Sequence, residues 1–274
     1  MTEVLKLSGI TIYPIKSCAG VSLQSSKVVD TGFAHDREWL LIDENSNFLT
    51  QRSNAKMTLI KPVVRADQAG VSLGVELQAL GKVSLYVPNV NEGEVIKTKV
   101  WESECEVVSQ GEEASSWLSE FLGQKVFLTR MNPNFKRHIK DKYKQRGDEV
   151  TGFADALPFL LISEKSLEDL NEKLTEKIPM NRFRPNLVVS GGTAFQEDNW
   201  KKIKINNTTI RVVKPCARCE ITTTNQETGE RKSEPLETLG KYRSKPKGIM
   251  FGQNCVSVEV GDVLSVGDEV KILE

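Results

Sequence analysis

Histidine is the scarcest chemistry-bearing residue in this 274-residue chain: there are 2, beside 5 cysteines. A zinc or iron site built by the protein alone gathers three or four such ligands, and only Cys216 and Cys219 stand close together in the sequence. The cysteines are odd in number and unevenly spaced, which argues against a disulfide framework and fits a reducing compartment. No run of about 18 apolar residues is present, so no membrane-spanning helix is expected. Neither sign of charge is in excess, with 37 Lys and Arg against 37 Asp and Glu. That balance speaks against a nucleic-acid partner or a charged disordered tail. The first residues show neither an apolar h-region nor an Arg- and Ser-rich presequence, and the expectation is a cytoplasmic protein.

What is present is mostly strand pattern. Short apolar or alternating runs fall at 4–15, 38–42, 59–64, 71–77, 83–87 and 95–101. The first helix is predicted over 112–122, where Ala114, Trp117, Leu118, Phe121 and Leu122 form one apolar stripe and Gly123 stops it. A strand at 125–131 leads into a loop, 132–156, with a basic run at 136–146. A loop of that length is functional or disordered. The run reads either as a solvated loop or as a lid or docking surface for an acidic redox partner. Further strands are predicted at 159–162, 186–190, 202–205, 209–213, 220–224, 255–260 and 270–273. Ser163 caps a helix over 165–174, and Asn206-Asn207 makes a hairpin turn. The fold class is α+β, predominantly β: two β-barrel-like lobes with a few helices, divided as 1–125 and 126–274.

The densest chemical signal is Pro215-Cys216-Ala217-Arg218-Cys219, followed by Glu220-Ile221-Thr222-Thr223-Thr224. A thioredoxin-type dithiol sits where a strand opens into a helix, whereas β-branched residues after the second cysteine favour a strand. A four-thiolate zinc site needs a second such pair, but Cys18, Cys105 and Cys255 are single. What remains is one soft thiolate on a β-scaffold. It suits a soft transition metal that arrives with its own organic ligand. A dithiol oxidoreductase using Cys216 and Cys219 stays open as the alternative.

Several stretches occur together in order: Ile12-Tyr13-Pro14-Ile15-Lys16-Ser17-Cys18, Asp36-Arg37-Glu38-Trp39-Leu40, Asn181-Arg182-Phe183-Arg184-Pro185-Asn186 and the Cys216–Cys219 motif. Glu234-Pro235-Leu236-Glu237-Thr238-Leu239 and Phe251-Gly252-Gln253 complete the set. Over essentially the whole chain this set resembles the molybdenum-cofactor-binding MOSC proteins, and most closely the amidoxime-reducing branch with its own N-terminal β-barrel domain.

The resemblance implies a molybdenum–molybdopterin cofactor with Cys219 as the protein's metal ligand and catalytic residue, and with Cys216 a packed thiol. The cofactor-binding positions it implies are Lys16, Ser17, Arg37, Asp155, Arg184, Asn186, Ala217, Arg218 and Asn254. A pterin phosphate needs guanidinium, ammonium and backbone N–H donors, which these residues offer. Pro185 biases Arg184 towards an extended backbone. Taken singly, each basic residue would read as a solvated surface charge. The implied reaction is reduction of N-hydroxylated compounds, with electrons from a separate protein: a b-type cytochrome with its flavin reductase, a ferredoxin or a flavoprotein. A non-catalytic carrier of the cofactor, or a sulfur-transfer protein, is the alternative.

Overall fold

The computed structural model describes residues 4–68, 72–145 and 147–274. The predicted strand at 71–77 is found as Ser72–Gln78, with Val71 outside the described residues, as is Arg146 of the basic run. Strands predominate and curl into half-barrel sheets, with α-helices α1 at Glu112–Leu122, α2 at Glu164–Lys173 and α3 at Leu236–Tyr242. α1 ends on Gly123 in the left-handed conformation, and the Ser163 hydroxyl accepts from Lys165 N at the start of α2, as their sequences predict. No helix among the described residues is long and apolar enough to cross a membrane.

The largest sheet runs Val270–Ile272, Lys202–Ile205, Thr208–Ala217, Gly248–Ser257, Phe159–Ser163, Leu187–Ser190, Lys6–Ile12 and Val21–Leu23. It covers a core of Leu7, Ile10, Phe33, Phe159, Leu187 and Ile210, in which Phe33 meets Phe159 edge-on at 5.0 Å. A second sheet joins Trp39–Ile42, Phe127–Met131, Ser103–Ser109 and Val95–Val100. Beside it a core of Trp39, Leu41, Leu77 and Leu128 packs under α1 through Leu118. Sheet membership thus ignores chain order. Lys6–Ile12 pairs Leu187–Ser190 of the second half on one side and Val21–Leu23 on the other, and Phe127–Met131 lies between strands of the first half. Residues from both halves of the sequence thereby line a common cavity.

Residues 220–224 depart from expectation: Glu220–Thr223 is a 3₁₀ turn rather than a strand. The hydroxyls of Thr222 and Thr223 bond back to the carbonyls of Cys219 and Glu220, at 3.0 and 2.8 Å, and tighten the chain. The long loop 132–156 also packs more closely than a solvated loop would. Arg137, Ile139, Val150 and Phe153 are buried, and His138 bridges Val150.

Candidate functional site

Every site residue named from the sequence lines one cavity of about 230 Å³. A larger groove of about 880 Å³ runs past Gly9, Gly20 and Leu167, but no cysteine or arginine lines it. The chemistry lies in the smaller cavity.

Cys219 reaches the cavity because the strand Thr208–Ala217 is bulged twice, at Val212/Lys214 and Pro215/Ala217, just before it ends. The half-buried Cys219 then caps the 3₁₀ turn, and its Sγ accepts from Arg52 Nη2 at 3.1 Å. Cys216 is engaged differently. Arg218 Nη1 donates to its sulfur at 3.0 Å and Arg218 Nη2 to Phe183 O at 2.6 Å, while Arg218 Nε is buried without a partner.

Three lining residues have left-handed backbones although none is glycine: Ser17 at φ 68°, Arg37 at 53° and Arg184 at 58°. Such conformations cost roughly 1–3 kcal/mol each and persist where the surroundings impose them. For Arg184 this corrects the extended backbone expected before Pro185. Its N–H closes a turn onto Asn181 O, and Tyr13 Oη pins Pro185 O at 3.0 Å. Arg37 and Arg184 both lie over the Tyr13 ring, at 4.5 and 4.2 Å. Burial, opposed by Tyr13, lowers the Arg184 pKa to about 10, and burial raises the Tyr13 phenol to about 12. Arg184 has no carboxylate within ion-pairing distance among the described residues; its hydrogen bond goes to Gln226 at 3.3 Å.

Arg37 is held by the Asp36 carboxylate and by Asn186 Oδ1 at 2.9 Å. The Asn186 amide also accepts from Leu160 N and donates to Thr11 O, so its polar atoms are spent on positioning Arg37 and the strands. Asn254 makes one long contact, 3.5 Å to Pro215 O, and Ala217 closes the wall opposite Met250. Lys16 is buried and donates to Phe153 O at 2.8 Å and to Asp155. Burial lowers the Lys16 pKa, and Asp155 works against that. Burial likewise opposes ionisation of Asp155, yet Lys16 and Arg52 together hold its carboxyl well below the usual carboxylate range.

The sequence reading missed Arg52, Trp101, Tyr13 and Gln226. Arg52 touches Cys219, ion-pairs with Asp155 at 3.3 Å and lies over the Trp101 ring at 4.7 Å. Trp101 Nε1 donates to Asp155 at 3.1 Å. Gln226 ties Gln51, Thr58 and Arg184 into one network across the cleft. Tyr13 stands inside a quoted motif, so a stacking role was open to reading there. These contacts of Arg52, Trp101 and Gln226 span 42 to 175 residues, with no local signal.

Residues 148–271 match the family model of the MOSC domain, and residues 4–125 match that of the MOSC N-terminal beta barrel domain. The chain is 31% identical to the mitochondrial amidoxime-reducing component 1 of Mus musculus, over all of this chain and 84% of that protein. The chain belongs to the MOSC-domain family. The Homo sapiens component 1 is 32% identical over the same shares. The molybdenum cofactor sulfurase of Danio rerio is 31% identical over 96% of this chain but only 34% of its own length. Of these relatives, the sulfurase is the one whose name refers to a molybdenum cofactor.

The donor set fits such a cofactor. No group of three or more His, Cys, Asp or Glu that could hold a metal exists among the described residues, so a metal here needs ligands from elsewhere. Arg37, Arg184, Arg218, Lys16, Arg52 and Lys214 line the cavity against one lining carboxylate, Asp155. That cationic excess, with an unpaired buried Arg218 Nε, suits a phosphate-bearing anionic ligand.

Proposed function

We infer that this MOSC protein is a molybdenum-cofactor-dependent reductase of N-hydroxylated compounds such as amidoximes, hydroxylamines and N-hydroxylated bases. The observation that carries this reading is the half-buried thiol of Cys219 in a cavity lined by six cationic side chains and one carboxylate. The names of the amidoxime-reducing relatives support it.

Cys219 would be the metal ligand. Arg184, Arg37, Lys16, Ser17, Arg218, Asn254 and the Ala217 backbone would hold the pterin and its phosphate. Asn186 positions Arg37. When bound, the cofactor would supply two-electron reduction with uptake of one oxygen atom, so that R–NHOH, two electrons and two protons give R–NH₂ and water. Arg52 touches Cys219 and Asp155 holds Arg52, where a substrate would approach. Asp155 remains ionised there and orients Arg52 and the Trp101 indole. Electrons would come in trans from a b-type cytochrome with its flavin reductase, a ferredoxin or a flavoprotein, in the cytoplasm.

The similarity to molybdenum cofactor sulfurase supports a second reading, a carrier or sulfur-transfer protein without turnover. Both are tested by plasma mass spectrometry of wild type, C219S and C216S from a host that makes the pterin cofactor, followed by benzamidoxime turnover with a chemical reductant. We expect near-stoichiometric molybdenum in wild type and C216S, loss in C219S, and turnover by the loaded proteins. Loading without turnover favours the carrier. A folded wild type without molybdenum or pterin overturns both and returns the cysteine pair to dithiol chemistry.

A further inference from the structure

Beside the cavity lies a second chamber of about 480 Å³, within the range of small-molecule sites. The two share Arg52, Asp155, Ala156 and Lys214 as lining, so the wall between them is the Arg52–Asp155 pair that touches Cys219. Two aromatic rings line the chamber, the exposed Trp101 and the partly buried Tyr143. Trp101 is itself held at φ 56°, a strained backbone for so bulky a residue. Arg52 backs its ring and Asp155 accepts from its indole N–H, so the indole is fixed in place.

The chamber's charge is positive beyond what its carboxylates neutralise. Glu102 is paired with Lys140 at 2.6 Å and Asp155 with Lys16 and Arg52. Two cations are left. Lys214 lies 5.1 Å over the Tyr143 ring with no carboxylate partner among the described residues. Arg137 is more than nine-tenths buried; it donates to the carbonyls of Gly152 and Ala154, leaves Nε without a partner and meets no carboxylate among the described residues. A buried guanidinium without an ion-pair partner, under a concave, aromatic-lined wall, favours a small planar anion over a protein surface, which could not follow the wall inward.

We propose that this chamber seats the body of the substrate and selects planar aromatic N-hydroxy compounds that carry an anionic substituent, phosphate or carboxylate, stacked against Trp101 and Tyr143 with the anion on Lys214. The substrate class rests on the reductase reading, but the binding site itself does not.

The test is an NMR titration that follows the Trp101 indole N–H, assigned with W101F, in protein of measured molybdenum content. The probes are phenyl phosphate, benzoate, inorganic phosphate and benzyl alcohol. We expect phenyl phosphate and benzoate to shift that resonance at lower concentrations than either half-ligand. K214Q should weaken both by about tenfold, the effect of one lost charge-assisted hydrogen bond. No shift at Trp101, benzyl alcohol matching the anionic ring compounds, or K214Q binding them like wild type overturns the proposal. In loaded protein, kcat/KM should favour 4-carboxybenzamidoxime over benzamidoxime, with the preference reduced in K214Q; a preference for the neutral compound overturns the substrate class. A chain that binds phenyl phosphate here but never takes molybdenum keeps the chamber and loses the reductase, so the two readings fail separately. Stronger response to phenyl phosphate than to benzoate assigns the natural anion as phosphate, and the reverse as carboxylate.

Discussion

The Lys16–Asp155 pair shows how one residue couples site chemistry to stability. The Asp155 pKa is depressed in the folded protein, so the unfolded chain takes up the extra proton as pH falls. The pair therefore stabilises the fold above the ordinary carboxylate pKa of about 3.9, and that contribution is lost as pH drops below it. The Asp155 side chain is 50% exposed while Lys16 is buried. Solvent screening should hold the cost of D155N at pH 7 to about 1–2 kcal/mol, below the ~3–5 kcal/mol of a fully buried pair. Urea unfolding at neutral and acid pH checks this: wild type should lose more stability than D155N on acidification. Equal losses would remove Asp155 from the acid response.

At the level of elements, the strand Gly248–Ser257 carries Asn254 past the cavity, and Gly252 within it has φ 77°. A Cβ there would stand 2.6 Å from Ile162 Cγ1 and 2.8 Å from Leu161 O. G252A should cost roughly 2–5 kcal/mol, from backbone strain plus overpacking. Gly240, in α3, is the control. Its nearest neighbour would be 3.6 Å away, and G240A should gain about 0.5–1 kcal/mol of helix propensity. Thermal melts of the two variants moving the same way would refute this account. The same scale shows what was legible in the sequence. α1 and α2 could be read because stripe, cap and stop agree within a dozen residues. Ser103–Ser109 went unread although Glu104-Cys105-Glu106-Val107 alternates polar with apolar, and its pairing with Val95–Val100 makes it a strand. At 220–224 the β-branched run misled, since Thr222 and Thr223 serve the backbone through their hydroxyls. Of the site, the motif residues could be named, whereas Arg52 and Trp101 arrive through contacts no local pattern encodes.

Considered whole, the molecule is interlaced rather than divided in series. Lys6–Ile12 completes the sheet of the second half, and Lys16, Ser17 and Arg37 complete the cavity around Cys219. Residues 126–274 expressed alone would leave the Leu187–Ser190 edge unpaired and the core without Leu7, Ile10 and Phe33. We expect that fragment to aggregate or to give no cooperative melt, and adding residues 1–125 in trans to improve its solubility. A soluble fragment with a sharp calorimetric transition would show that the second half folds by itself.

The same interlacing sets a schedule for the growing polypeptide. Ser8 meets Val188 across 180 residues of sequence. At synthesis rates of about 5–20 residues per second, the first strand waits on the order of 10–35 s before its neighbour exists. Throughout that interval the edge of Lys6–Ile12 that meets Leu187–Ser190 has no native partner, and Leu7 and Ile10 lack the part of their core that the second half supplies. The strand order thus leaves one open edge on the nascent chain until the second half is made.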